Sequence, residues 1–290
     1  MSVAVFALML TIVAGVTTQA SSTVRSGSAQ IDAFQAGRSG FDIITRNLSD
    51  ATLGTYWDYD NPTKPEKYVR KADLHFLTTG ASGNQELFFQ SPQAVSRTLG
   101  YQNTRGLLNS LGYFVTFGSD DAYRPSHVTQ KRWRYRLMQG IQPAEDLKVF
   151  QDSSSSWTSA VKNTAWPISD NVIAMIVWPR LSEEEDAPGA TLSTDYQYDS
   201  RTGAAIQRAQ LPPVVQVTLV IIDEASASRL ESGATPPAVI QGALSGKFSN
   251  VLSYRTDLQN LERELSASNI KFQILTMPVS LRESKWSATP

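Results

Sequence analysis

Histidine, cysteine and clustered carboxylates are where catalysis or metal binding would start, and this chain uses them sparingly. It has no cysteine and two histidines. Disulfides, thiolate-bound zinc and a cysteine nucleophile are therefore excluded. His75 lies between Leu74 and Phe76 in a stretch that alternates like a strand. A solvent-facing or hydrogen-bonded strand residue is expected there, not a catalytic base. His127 follows Pro125 in a loop, and a zinc site would have to join these two distant residues to carboxylates at no motif spacing. Serine is plentiful, yet no Gly-x-Ser-x-Gly elbow presents one. Neither a Walker loop nor Gly-x-Gly-x-x-Gly occurs. No catalytic residue, no cofactor and no metal ligand is expected, and no small-molecule substrate.

Two further stretches resemble binding motifs. Asp58-Tyr-Asp-Asn-Pro62 begins like a calcium loop, then places proline where the third ligand belongs and Glu66 too early for the closing carboxylate. A capped turn is expected, with Tyr56, Trp57 and Tyr59 packing the body against the preceding helix. Lys131-Arg-Trp-Arg-Tyr-Arg136 interleaves basic and aromatic residues, as single-strand nucleic-acid binders do. Successive strand residues face opposite ways. Arg132, Arg134 and Arg136 therefore share one face, and Trp133, Tyr135 and Leu137 the other, so no single surface presents both. The expectation is a solvated arginine face over an aromatic core, with no nucleic-acid partner. The formal net charge of −1 also argues against a general polyanion binder. Glu183-Glu-Glu-Asp186 reads as an exposed loop.

The elements that would position these residues begin with an apolar run, Val3 to Val16, that no charge interrupts before Arg25. As a helix it reaches about 21 Å, against the roughly 30 Å of a hydrocarbon core. Three readings compete: a signal-peptide core cut near Ala20, a buried helix, and the back half of a membrane helix. The first lacks the basic residues a signal peptide carries ahead of its apolar segment. Beyond the run, Ile31, Phe34, Phe41, Ile44 and Leu48 recur at helical spacing and predict one stripe packed on the body. Gly37-Arg-Ser-Gly40 lies on the same segment and predicts a close helix contact or a soft spot in the helix. The helical part is assigned to 1–53, with its membrane or assembly portion at 1–28, and the body to 54–290.

Gly54, Pro62 and Pro65 end the helix. Leu74–Thr78 and Glu86–Gln90 predict a hairpin across the turn at Gly80–Asn84. Thr104–Ser110 reads as a short helix, and Gly112–Phe117 and Arg132–Met138 as strands. Trp157–Trp166 reads as a helix stopped by Pro167. Asn171–Trp178 is a continuous apolar run of strand length and Val214–Ile222 a second strongly apolar, Val/Ile-rich one, both expected at the centre of a sheet. Helices are expected over Asp223–Glu231 and Tyr254–Ser268, and a last strand over Phe272–Met277. The fold class is α+β: a long N-terminal helix, hydrophobic and then amphipathic, packed on a largely antiparallel sheet.

Several patches in order resemble one family. Phe34-Gln-Ala-Gly-Arg-Ser-Gly-Phe41, Ala51-Thr-Leu-Gly-Thr-Tyr-Trp-Asp-Tyr-Asp60, Asp73-Leu-His-Phe76, Asp170-Asn-Val-Ile-Ala174 with Trp178-Pro-Arg180, and Leu211-Pro-Pro-Val-Val-Gln-Val217 with Ile222-Asp-Glu-Ala225 resemble the Verru_Chthon cassette protein C family. These are proteins of Verrucomicrobia similar to type IV pilins and minor pseudopilins of the J type. The resemblance implies a non-enzymatic subunit of a type II secretion or type IV pilus-like system. It would be held in the inner membrane by a single N-terminal helix, with its body on the periplasmic side. Val3, Val5, Phe6, Leu8, Leu10, Ile12, Val13 and Val16 would then meet lipid and sister subunits. Ile31, Phe34, Phe41, Ile44, Leu48 and Trp57 would join helix to body. Such proteins begin with a basic leader, a cleavage site and a Phe-Thr-Leu-x-Glu-like segment, and Ser2-Val-Ala-Val resembles the residues just after that segment. Either an in-frame extension precedes Met1 or this copy has lost the signal. The alternative is a membrane-tethered extracytoplasmic binding module for a polysaccharide, a surface or nucleic acid.

Overall fold

A computed structural model of the chain describes residues 31, 34–80, 82–101, 104, 106–151, 156–182 and 192–287. The apolar positions Val3, Val5, Phe6, Leu8, Leu10, Ile12, Val13 and Val16 lie outside the described residues, as does the acidic stretch Glu183–Asp186. The fold is α+β: helix α1 (34–49) packs on antiparallel sheets.

The apolar runs form the middle of a three-stranded sheet. Strand β10 (Val214–Ile222) lies between β8 (Val172–Arg180) and β11 (Phe272–Ser280), antiparallel to both. Its side chains alternate between two cores. Val215, Val217, Leu219 and Ile221 join the larger one with α1 and the second sheet. Val220 and Ile222 join a smaller one with three helices, α3 (Glu224–Leu230), α4 (Ala238–Leu244) and α5 (Tyr254–Ala267). A strand covered on both faces needs apolar residues on both, which explains a run broken only by Gln216 and Thr218, both buried.

The second sheet has six strands. Its middle consists of β4 (Glu86–Pro92), β5 (Leu108–Ser119) and β6 (Trp133–Gln142). Its flanks are β3 (Leu77–Thr79) and β9 (Tyr198–Asp199) on one side and β7 (Trp166–Asp170) on the other. Helix α2 (Ser156–Lys162) covers one face, close enough that a Cβ at Gly140 would stand 2.2 Å from the Val161 carbonyl oxygen. The chain passes from β7 to β8, and so between sheets, at Asn171. There φ is +62°, a conformation asparagine tolerates better than most residues. Asn171 is held on both sides: its N–H donates to Tyr135 O, and its carbonyl accepts from Ile222 N. A separate two-stranded hairpin, β1 (Thr55–Tyr59) with β2 (Tyr68–Ala72), projects after α1.

Two expectations fail here, and a third holds only in part: the helix from Trp157 ends at Lys162, while Trp166 and Pro167 pair with β6 inside β7. Thr104–Ser110 is not a helix: β5 starts at Leu108, where pairing with Pro92 captures it, and from Ser110 it also pairs with β6. Leu74–Phe76 stay out of β3. Their N–H groups go instead to Leu53 O, Gln90 Oε1 and Ser200 Oγ, so side chains take the place of a ladder.

Candidate functional site

The junction of α1 with the body is the first place where sequence and structure meet. Phe41, Ile44 and Leu48 are buried in the larger core, and Phe34 packs half-buried against it. The two glycines are the contact points. A Cβ at Gly37 would stand 2.3 Å from Ile221 Cδ1 of β10, and one at Gly40 3.2 Å from Leu137 Cδ2 of β6. Helix α1 therefore touches both sheets through residues without side chains. Gly37 and Gly40 mark a close helix contact, not a soft spot, and the surface approached is a sheet.

Ile31 and Trp57 are corrections. Each is 58% exposed. Ile31 precedes the first body contact of the stripe. Trp57 lies on the projecting hairpin, where the Arg70 guanidinium covers its ring 5.3 Å from the centroid. Tyr56 and Tyr59 are also exposed, and Tyr59 stacks on Tyr68 at 4.8 Å. The hairpin aromatics thus pack on one another and on a cation, not on α1. The turn itself is capped as expected: Asp60 Oδ1 accepts from the backbone of Asn61, Glu66 and Lys67, while Asp58 pairs with Lys71 at 2.7 Å.

The arginine face of β6 is also a correction. Arg134 and Arg136 are buried, not solvated. Arg134 is held by Glu224 at 2.9 Å, by Glu231 and by Ser228, all on α3 or at its end. Arg136 donates to Asp170 Oδ1 and Gly118 O, both at 2.8 Å. The strand is covered on both faces because its arginines carry apolar stems inward and meet carboxylates supplied by a helix far along the chain. Burial pushes the Glu224 and Glu231 carboxyls up, but bonds from Arg134, with Asn171 at Glu224 and the Trp133 backbone at Glu231, outweigh it and hold both below the ordinary range.

His75 is hydrogen-bonded and buried. Trp157 Nε1–H donates to its Nδ1 at 3.0 Å, and its Nε2 meets Asp199 Oδ1 at 2.8 Å. The tryptophan cannot accept, so Nδ1 is the acceptor and Nε2 the donor. Asp199 also accepts from the backbone of Arg201 and Thr202 and from the Thr202 hydroxyl. Burial alone would raise its carboxyl, but these bonds, that from His75 foremost, hold it far below the usual carboxylate range. Every polar atom of the His75 ring is committed, which makes it a pin between β9 and α2. His127 remains in an exposed turn.

Among the described residues no group of three or more His, Cys, Asp or Glu is placed to hold a metal. Among the same residues no helix is long and apolar enough to cross a membrane. Comparison with family models, curated proteins and solved structures finds no match.

One feature has no counterpart in any sequence motif. Beside the β1–β2 hairpin lies an open cavity of about 680 Å³, lined by Arg70, Lys71, Arg201 and Arg208. These residues come from β2 and from the loop after β9, more than a hundred positions apart, so no local pattern announces them.

Proposed function

We propose that the chain is a non-enzymatic, pilin-like structural subunit that assembles with sister subunits through its N-terminal segment. One observation carries this reading. The buried stripe of α1 begins at Gly37, with Phe34 half-covered and Ile31 exposed, while the sequence ahead stays apolar from Val3 to Val16. An apolar helical segment needs lipid or partner helices to cover it. A long helix that enters an antiparallel α+β body along one stripe is also the arrangement that the resemblance to the Verru_Chthon cassette protein C family implies. In that reading the body stands on the periplasmic side of the inner membrane. The type II secretion or type IV pilus-like role is the one to test.

The test replaces Phe6 and Leu10 together by aspartate in the full chain. Each charge at a bilayer centre costs at least about 2.5–3.5 kcal/mol on insertion scales. Membrane retention and co-purification with sister subunits should both be lost, while the near-ultraviolet circular dichroism of the body is unchanged. If a chain starting at Ile31, monomeric and in solution, restores the function of a deletion strain, the assembly reading is wrong.

A further inference from the structure

We propose that the cavity beside the β1–β2 hairpin binds an acidic glycan, with Arg70 and Arg208 receiving its carboxylate or sulfate groups. Four cations line the cavity, Arg70, Lys71, Arg201 and Arg208, against the single lining carboxylate of Asp73, with Lys71 also paired to Asp58 at 2.7 Å. The whole chain has 26 Lys and Arg against 27 Asp and Glu. The excess is therefore a local segregation of charge, not a reflection of composition.

Arg70 shows that the segregation is not balanced from within. Its Nη1 is buried and has no hydrogen-bond partner. Among the described residues neither Arg70 nor Arg208 belongs to an ion pair. Arg208 uses only its Nε, on Gly203 O at 2.9 Å, which leaves both terminal nitrogens for a ligand. A buried guanidinium nitrogen without an acceptor is unfavourable, and a planar oxyanion that receives N–H groups from the half-buried Arg70 and the exposed Arg208 offsets that cost.

The remaining lining chooses among anions. Exposed Tyr56 and Phe150 offer ring faces to the C–H side of a sugar, and Gln151, Ser200 and Thr202 offer groups for its hydroxyls. At about 680 Å³ the space is that of a small-molecule or oligosaccharide site. A second hollow of about 340 Å³ shares Arg70 and Ala209 and adds Lys285, with Arg282 already paired to Asp50 and the Glu283 carboxylate at its far side, so the cationic lining centres on Arg70 and does not run on as a track. Single-stranded nucleic acid needs open ring faces in a row. On this hairpin no row of faces is open: Tyr59 lies on Tyr68 and Arg70 covers Trp57, which leaves Tyr56 by itself.

The experiment titrates the purified full chain by calorimetry with four probes: hexagalacturonate, a heparin-derived hexasaccharide, cellohexaose and a ten-residue oligothymidylate. At least one of the two acidic glycans should bind, and more weakly as salt rises. The first probe reports carboxylate, the second sulfate. Arg70→Met and Arg208→Met should each weaken that binding tenfold or more, with Arg263→Met on α5 as an unaffected control. Melting temperatures accompany each titration. Should Arg70→Met fail to fold, Arg208→Met, at an exposed position, carries the test alone. The proposal is overturned if neither acidic glycan binds, if cellohexaose binds equally well, if oligothymidylate binds more tightly than both, or if folded Arg208→Met binds like the wild type.

Discussion

Replacing Gly37 by alanine sets two effects of opposite sign against each other. Alanine favours a helix interior over glycine by about 1 kcal/mol, and on that ground the change should stabilise. The new Cβ, however, would stand 2.3 Å from Ile221 Cδ1, 2.9 Å from Cγ1 and 3.3 Å from Cγ2. Ile221 is fully buried in the centre strand of its sheet, and its β-branched side chain has little rotamer freedom with which to retreat. Overpacking of this kind costs about 1–3 kcal/mol. The steric effect outweighs propensity, and Gly37→Ala should lower stability by roughly 1 kcal/mol. Urea denaturation of the wild type, Gly37→Ala, Ile221→Val and the double variant measures it. Ile221→Val alone should cost about 0.5–1.5 kcal/mol. It removes the atom nearest the new Cβ, so in the alanine background it should cost less or even restore stability, a coupling of at least about 0.5 kcal/mol. A stabilising Gly37→Ala, with Ile221→Val strictly additive, would refute the close contact between α1 and β10.

Three other outcomes are expected from the same core. Phe41→Ala should destabilise by about 3–5 kcal/mol, read as a fall in the urea midpoint at constant slope. Arg134→Met should cost toward the lower end of about 3–5 kcal/mol, because it strands Glu224 and Glu231, which keep some contact with water. Their folded-state carboxyls lie below the unfolded value, so their stabilisation is present above the ordinary carboxylate range and is lost as pH falls through the folded values. The gap between wild type and Arg134→Met should therefore narrow in acid, and a gap independent of pH would contradict the pairing. Burial pushes the Tyr113 phenol up to about 12. The unfolded chain then loses its proton first, so stability should fall as pH rises from about 10. Tyr113→Phe should flatten that fall in an alkaline denaturation series. At neutral pH it should cost about 1–3 kcal/mol, because Asn47 and Gln139 each lose the acceptor they now share.

Helical spacing is enough to find Phe41, Ile44 and Leu48, because one face of α1 is buried over several turns. The runs at Val172 and Val214 are legible for the opposite reason: both faces are covered, so apolar residues crowd both, consecutively in the first and broken only by Gln216 and Thr218 in the second. Local pattern does not show which distant segment covers a face. Alternation places Arg134 and Arg136 opposite Tyr135 correctly, yet the carboxylates that bury Arg134 come from Glu224 and Glu231, about ninety residues on. Trp57 reads as a packing residue because large aromatics usually are, but its hairpin projects and Arg70 supplies the cover. Leu74–Phe76 read as strand from their alternation, while side-chain acceptors from Gln90 and Ser200 claim their backbone. The cavity is illegible for a topological reason: Arg70 and Arg208 share no element, and only the closed fold brings them together.

Tension applied to the chain ahead of Gly37 enters the body lengthwise along α1. At that end the helix is keyed into β10, and one turn later into β6, so neither sheet bears the load alone. A pull parallel to the stripe must shear the contacts of Phe41, Ile44 and Leu48 together, whereas a sideways pull would peel them off in turn. At its far end the load passes through Thr52 N–H to Gln90 O on β4, a strand paired on both sides within the larger sheet. The seating of α1 is thus mechanically strongest along its own axis and weakest against a load that lifts it from the sheets.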